Sequence, residues 1–217
     1  MAFCVGLDLG QSADFTALAV LEHGKREVPG RENGEVEQFL HLRHLERYQL
    51  HTPYPEIAEK VATLMQEPRL SPREYDASRR RHFQPQPSLV VDNTGVGRAV
   101  TDLLKTKGLK FIAVTITGGN EVHASSSRAY RVPKRDLVGA LEVPFHTGTL
   151  KVAEGMELWP TLRKELLNFR RKINLTTAHD SYEHWRESDH DDLVLAAALA
   201  CWNVTRRRGR TKLKVIR

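Results

Sequence analysis

Apolar positions along the chain follow two periods, one suited to buried strands and one to amphipathic helices. Residues 3–9 form a short apolar run ending in Asp8-Leu9-Gly10, and residues 15–21 form a second. Gln11, Ser12, Ala13 and Asp14 separate them, so the two runs predict a hairpin. Residues 24–34, rich in glycine and charge and holding Pro29, predict a loop. Residues 36–48, with Phe39, Leu40, Leu42 and Leu45, fit a third strand or a helix, and the strand is favoured. Ile57, Val61, Leu64 and Met65 then recur on one helical face that opens near Pro55. Residues 67–87 carry four prolines and Arg79-Arg80-Arg81, which predicts an exposed loop or insertion. Residues 88–92 predict another buried strand. The Asp92-Asn93-Thr94-Gly95 turn after it leads into a helix with Val96, Val100, Leu103 and Leu104 inward. A strand over 109–115 follows Gly108, a helix stop, and Pro133 opens a helix over 133–141. Leu158, Leu162, Leu166, Phe169 and Ile173 predict a long amphipathic helix, and residues 191–204 a helix apolar nearly all round, hence buried. Strands that come first and then alternate with helices predict an α/β fold.

Composition narrows the picture. A chain of 217 residues with 40% hydrophobic content is ample for a real core, and no stretch approaches the ~20 apolar residues of a membrane span. Cys4 and Cys201 each sit inside an apolar run, the pattern of reduced core thiols. The net charge is +6, but seven basic residues and no acid lie in 206–217, leaving about −1 elsewhere. That end reads as a disordered basic tail, suited either to a polyanion such as nucleic acid or to simple solvation, after a domain over 1–205.

Three acidic sites stand at the ends of buried elements: Asp8, Asp92, and the Asp191-Asp192 pair that opens the last helix. Each alone reads more readily as a turn or helix cap. Together they point to a metal site, because a carboxylate directly after an apolar run is costly to bury unless a cation offsets it. Carboxylates at the carboxyl edge of neighbouring strands suit Mg²⁺ or Mn²⁺, and a two-ion centre suits phosphodiester chemistry. Asp191 and Asp192 point roughly 100° apart on a helix, so one of them is expected to be the direct ligand.

These motifs resemble a known family. Val5-Gly6-Leu7-Asp8-Leu9-Gly10 with Ala13-Asp14-Phe15-Thr16-Ala17 is similar to the first motif of RNase H-like nucleases. The stretch from Val90 through Asp92 to Gly97 resembles the second acidic motif of phage terminase large subunits, and His190-Asp191-Asp192-Leu193-Val194 their third. Thr115-Ile116-Thr117-Gly118-Gly119 and Val132-Pro133-Lys134-Arg135-Asp136-Leu137 also read like terminase nuclease sequence, so the similarity spans residues 3–204. The resemblance implies an RNase H-like fold, a central mixed β-sheet flanked by helices. It implies a Mg²⁺- or Mn²⁺-dependent DNA endonuclease, with two ions, that cuts concatemeric viral DNA during packaging. Asp8, Asp92 and Asp192 would be the catalytic metal ligands and Asp191 a close auxiliary. Double-stranded DNA, a packaging ATPase domain, a small terminase subunit and a portal are the implied partners, in the cytoplasm of a phage-infected bacterium. One departure stands out: no Gly-x-x-x-x-Gly-Lys-[Ser/Thr] phosphate loop is present, as expected of an excised nuclease domain or a split subunit.

Arg128, Lys134, Arg135, Arg79 and Arg80 are candidate DNA contacts, as are Arg81 and Arg170-Arg171-Lys172, each against the alternative of a solvated face. His179, His184 and His190 fit no common zinc spacing and have no cysteine nearby, so His190 is expected to position water or phosphate instead. Rival functions are a Holliday-junction resolvase, an actin-like or sugar-kinase-type ATPase fragment, and a DNA-binding module with an inactive acidic centre. The ATPase reading needs two such domains around one nucleotide.

Overall fold

The computed structural model of the chain describes residues 1–10, 14–27, 36–76, 80–95, 97–175 and 190–206. Strands β1 (Ala2–Asp8) and β2 (Ala17–Glu27) pair antiparallel, and β2 pairs antiparallel with β3 (Val36–Arg47), so 36–47 is a strand and not a helix. β2 runs past Leu21 into the stretch expected as a loop. Pairing of Glu27 with Val36 holds that exposed end by backbone hydrogen bonds, which leave no apolar period behind.

Helix α1 (Tyr54–Met65) follows with Pro at its start and Ile57 and Val61 buried. The segment expected as a featureless insertion contains a 3₁₀ turn (Pro68–Leu70) that buries Leu70, and a ribbon of β4 (Glu74–Asp76) and β5 (Arg81–Phe83). Then come β6 (Ser88–Asp92), α2 (Gly97–Thr106) and β7 (Phe111–Thr117). Two further strands were not anticipated: β8 (His123–Ser126) and β9 (Ala129–Pro133), a hairpin whose first strand is wholly exposed and carries no apolar signal. Helix α3 begins one residue after Pro133 and spans Lys134–His146; β10 (Leu150–Val152) is another unanticipated strand, short and at the sheet edge. Helices α4 (Trp159–Leu175) and α5 (Asp192–Arg206) complete the chain. Arg206, expected to begin the tail, ends α5 with its guanidinium over the rings of Trp202 and Tyr130; residues 207–217 lie outside the described ones. Ile173's side chain and Val96, both expected inward, also lie outside them.

The eight-stranded sheet has the order β10-β3-β2-β1-β6-β7-β9-β8, with β1, β6, β7 and β9 parallel to one another. Alternation of side chains splits the core in two. Val5, Leu7, Leu18, Val20, Leu89 and Val91 face α1 and α2, whereas Cys4, Ala17, Ala19, Val90 and Val114 face α3, α4 and α5. Both cysteines are buried and in no disulfide. No helix among the described residues is long and apolar enough to cross a membrane.

Helix α5 lies directly on β1 and β2, and its alanines (Ala196, Ala197, Ala198, Ala200) share one core with Ala17 and Ala19. At Gly6 the approach is closest: a Cβ there would stand 2.0 Å from the carbonyl oxygen of Ala196. Gly139, within α3, has nothing within 4 Å of the corresponding position. Gly6→Ala is therefore expected to destabilise the fold by at least 1–3 kcal/mol, roughly the usual cost of overpacking. Gly139→Ala is expected to stabilise by up to about 1 kcal/mol through helix propensity. Urea unfolding of the two variants against wild type checks both signs.

Candidate functional site

Parallel pairing of β1 with β6 sets the first part of the geometry. Leu7 lies level with Val91, so one step further Asp8 and Asp92 come level at the carboxyl edge of the sheet. Period-2 alternation puts both on the α5 face, with Cys4 and Val90. Asp8, Asp92 and Asp192 are 6%, 7% and 4% exposed, so three acids are buried where one is already unusual. The Asp8 and Asp92 carboxyls are close enough to act on each other. Burial pushes Asp8 well above the usual carboxylate range, and the charges of Asp92, Asp192 and Asp191 push it the same way.

Asp92 is held by its own turn. Its Oδ1 accepts from the Thr94 N–H at 2.8 Å and from the Thr94 hydroxyl at 2.6 Å, while Thr94 Oγ1 accepts from the Ile116 N–H at 2.9 Å. The Asp92-Asn93-Thr94 turn is thereby tied to β7.

The first turn of α5 separates the roles of its two aspartates. The Asp191 carbonyl accepts from the Leu195 N–H at 2.9 Å, so its backbone begins the helix. Its carboxylate pairs with Lys134 Nζ at 2.6 Å, and that ammonium also lies 5.3 Å from the centre of the Phe169 ring. Asp192 turns into the buried cluster. Among the described residues its buried Oδ2 has no hydrogen bond, and ion-pair partners there stand at 3.6 Å (Arg47 Nη2) and 3.9 Å (His190 Nδ1). Burial pushes Asp192 up to about 7, against the pull of Arg47.

Two residues of this constellation were not foreseen. Glu165 of α4, 6% exposed, accepts from the N–H groups of Leu193 and Val194 at 3.1 and 3.2 Å through Oε2, and pairs with Arg47 through Oε1. Burial pushes it to about 7, with Arg47 pulling it back. Its signal was an acid on the apolar stripe Leu158-Leu162-Leu166-Phe169, a place that calls for a partner. Arg47, at the end of β3, also lies over the Phe15 ring at 4.8 Å, and Phe15 meets His190 edge-on. An arginine after a strand carries no such signal.

The candidate DNA contacts divide. Lys134 belongs to the acidic cluster. Arg135 is exposed and donates to the Asn120 carbonyl at 2.8 Å. Arg128, in the turn between β8 and β9, lines an open groove of about 540 Å³ with Asn93, Lys105 and Lys110. Arg80 and Arg81 are exposed beside and within the ribbon. Arg79, His179 and His184 lie outside the described residues, as do the side chains of Arg170, Arg171 and Lys172. His190 is exposed.

Among the described residues no three His, Cys, Asp or Glu side chains are arranged so as to hold an ion by themselves. Asp8 and Asp92 repel each other, and Asp191 is engaged by Lys134. The donor set nevertheless fits a hard divalent cation: all oxygen, mutually repelling, with the buried Asp192 Oδ2 bare. Mg²⁺ commonly takes only one or two protein carboxylates besides water and substrate oxygens.

No family model matches the chain, and no curated protein matches it in sequence. Solved structures do. A large terminase nuclease from thermophilic phage G20c aligns over 92% of this chain and 80% of its own, with a TM-score of 0.51 at 17% identity. The human cytomegalovirus terminase nuclease domain, Mn-soaked and inhibitor-bound, aligns over 94% and 82%, with a TM-score of 0.52 at 15% identity. The mixed sheet flanked by helices is thus the RNase H-like fold of terminase nuclease domains, as expected.

A raised carboxyl pKa means that the folded chain holds protons the unfolded chain has lost, so metal-free stability falls as pH climbs above about 4. Asp8→Asn removes a buried charge that burial and the charges of Asp92, Asp192 and Asp191 disfavour. With EDTA present, it is expected to raise the melting temperature at pH 8 by roughly 2–4 °C for each ~1 kcal/mol relieved. The gain should shrink toward zero near pH 4. Melting curves across that range test it, and a loss of stability at pH 8 would contradict the electrostatic reading.

Proposed function

We propose that this chain is the nuclease of a viral DNA-packaging terminase, hydrolysing phosphodiesters of concatemeric double-stranded DNA with Mg²⁺ or Mn²⁺. The observation that carries this is the convergence of buried acids from three separate segments, Asp8, Asp92 and Asp192, the charges of Asp92 and Asp192 both acting on Asp8. The shared fold with terminase nuclease domains supports it.

In this reading Asp8, Asp92 and Asp192 hold the metal and Asp191 is a close auxiliary. When bound, divalent ions supply activation of the attacking water and stabilisation of charge developing on the phosphate. The protein's own groups prepare the rest. Ligation needs ionised carboxylates, so divalent ions and protons compete for the site. The Thr94 contacts fix the direction of Asp92, and Lys134 neutralises Asp191 at the rim. Exposed Arg128 and Arg135 take backbone phosphates, contacts that position a duplex without reading its sequence. Water's oxygen joins phosphorus, the bond to the 3′ oxygen breaks, and that oxygen takes up a proton, leaving a 5′-phosphate and a 3′-hydroxyl.

The same reading assigns the chain to the cytoplasm of an infected bacterium, working with a packaging ATPase, a small terminase subunit and a portal. The test is supercoiled plasmid incubated with EDTA, Mg²⁺ or Mn²⁺, wild type against Asp92→Asn. Nicking and linearisation that need the metal and fall at least about 100-fold in the variant are expected. Cutting that survives in Asp92→Asn would move the chemistry elsewhere, and no cutting at high protein and Mn²⁺ would refute a nuclease active on its own.

A further inference from the structure

We infer that Glu165 is a positioning residue that holds the Arg47 guanidinium away from Asp192, keeping Asp192 Oδ2 open for a divalent cation. The inference rests on the metal-site reading above and adds to it a reason why a buried arginine beside a metal ligand does not close the site.

Arg47 is confined. Its side chain is 17% exposed, its guanidinium lies on Phe15, and its Nη2 hydrogen-bonds Glu165 Oε1 while standing 3.6 Å from Asp192 Oδ2. A charge-assisted hydrogen bond forms at about 2.7–2.9 Å, so a shift of under ~1 Å would join Arg47 to Asp192. What opposes that shift is the stronger hold of Glu165. Its two oxygens have separate tasks: Oε1 engages the guanidinium, and Oε2 accepts from Leu193 and Val194 N–H at the start of α5. One carboxylate therefore fixes the helix turn that carries Asp192 and restrains the cation that would mask it. A glutamine offers a single acceptor oxygen and no charge, so it keeps the helix turn only by releasing the arginine.

This division predicts a sign that a merely structural pair would not produce. In Glu165→Gln, the freed Arg47 turns to Asp192 and competes with the metal. In Arg47→Met with Glu165→Gln, the competing cation is gone, the turn keeps its acceptor, and metal binding returns. A simple packing role predicts the reverse order, with the double variant worse than the single.

The experiment is Mn²⁺ binding to the full chain by isothermal titration calorimetry, for wild type, Glu165→Gln, the double variant and Asp92→Asn, with thermal melts of each. Glu165→Gln is expected to bind Mn²⁺ roughly 10–100-fold more weakly, the range usual for residues that support metal ligands. The double variant is expected to recover most of that loss. Equal affinity in wild type and Glu165→Gln overturns the inference, and so does a double variant that binds no better than the single one. A wild type without Mn²⁺ binding, or with binding that Asp92→Asn leaves intact, overturns the metal-site reading itself.

Discussion

The site depends on how closely α5 lies on β1. Helix and strand run in opposite directions, so Asp192 sits at the Asp8 end while Asn203 donates to the Cys4 sulfur at 3.4 Å near the other. Their lengths match: Asp192 to Asn203 spans about 16 Å of helix, and Cys4 to Asp8 about 13 Å of strand. Between these ends Gly6 admits the Ala196 carbonyl where no side chain would fit. A larger residue would lift the middle of α5 and carry its first turn away from Asp8 and Asp92. Small residues in β1, β2 and α5 therefore bring the acids together, although none of them has chemistry of its own.

Electrostatics takes over where packing ends. Asp8, Asp92, Asp191, Asp192 and Glu165 gather around Arg47 and Lys134, and the cations are committed unequally. Lys134 engages the partly exposed Asp191, and Arg47 engages Glu165. Among the described residues the buried Asp192 Oδ2 has no hydrogen bond, and burial with the charges of Asp92, Asp192 and Asp191 pushes Asp8 well above the usual carboxylate range. A folded domain tolerates such an arrangement when something else satisfies it, since an uncompensated buried charge costs several kcal/mol or neutralises itself. Uptake of protons by Asp8, Asp192 and Glu165 is the response available to the protein without a cation.

Much of this was legible in the residues, for a physical reason. Strands that bury both faces leave continuous apolar runs, so the central strands and the acids that end them stand out, as does the apolar α5. Edge strands are held by backbone hydrogen bonds and leave little trace, which is why β8, β10 and the far end of β2 went unread. The same limit applies to the site. Asp8, Asp92 and Asp192 announce themselves by closing or opening apolar elements. Arg47 becomes visible only when β3, α4 and the start of α5 meet. Glu165 had a signal, an acid on an apolar stripe, but its meaning lay in partners far away in sequence.

That contrast bears on the likeness to terminase nucleases at 15–17% identity. The constraints that build this arrangement are few: parallel pairing that levels two strand ends, a small residue under a helix, and acids at three termini. Most other core positions need only be apolar and of suitable volume, which many sequences satisfy. Overall identity therefore falls quickly while the frame persists. A helix start can be satisfied, and a neighbouring cation restrained, by residues from different elements. The Arg47–Glu165 pair does both here. It is one physical solution to exposing a carboxylate in a crowded, partly neutralised cluster, and a different chain on the same frame can solve the problem with other residues.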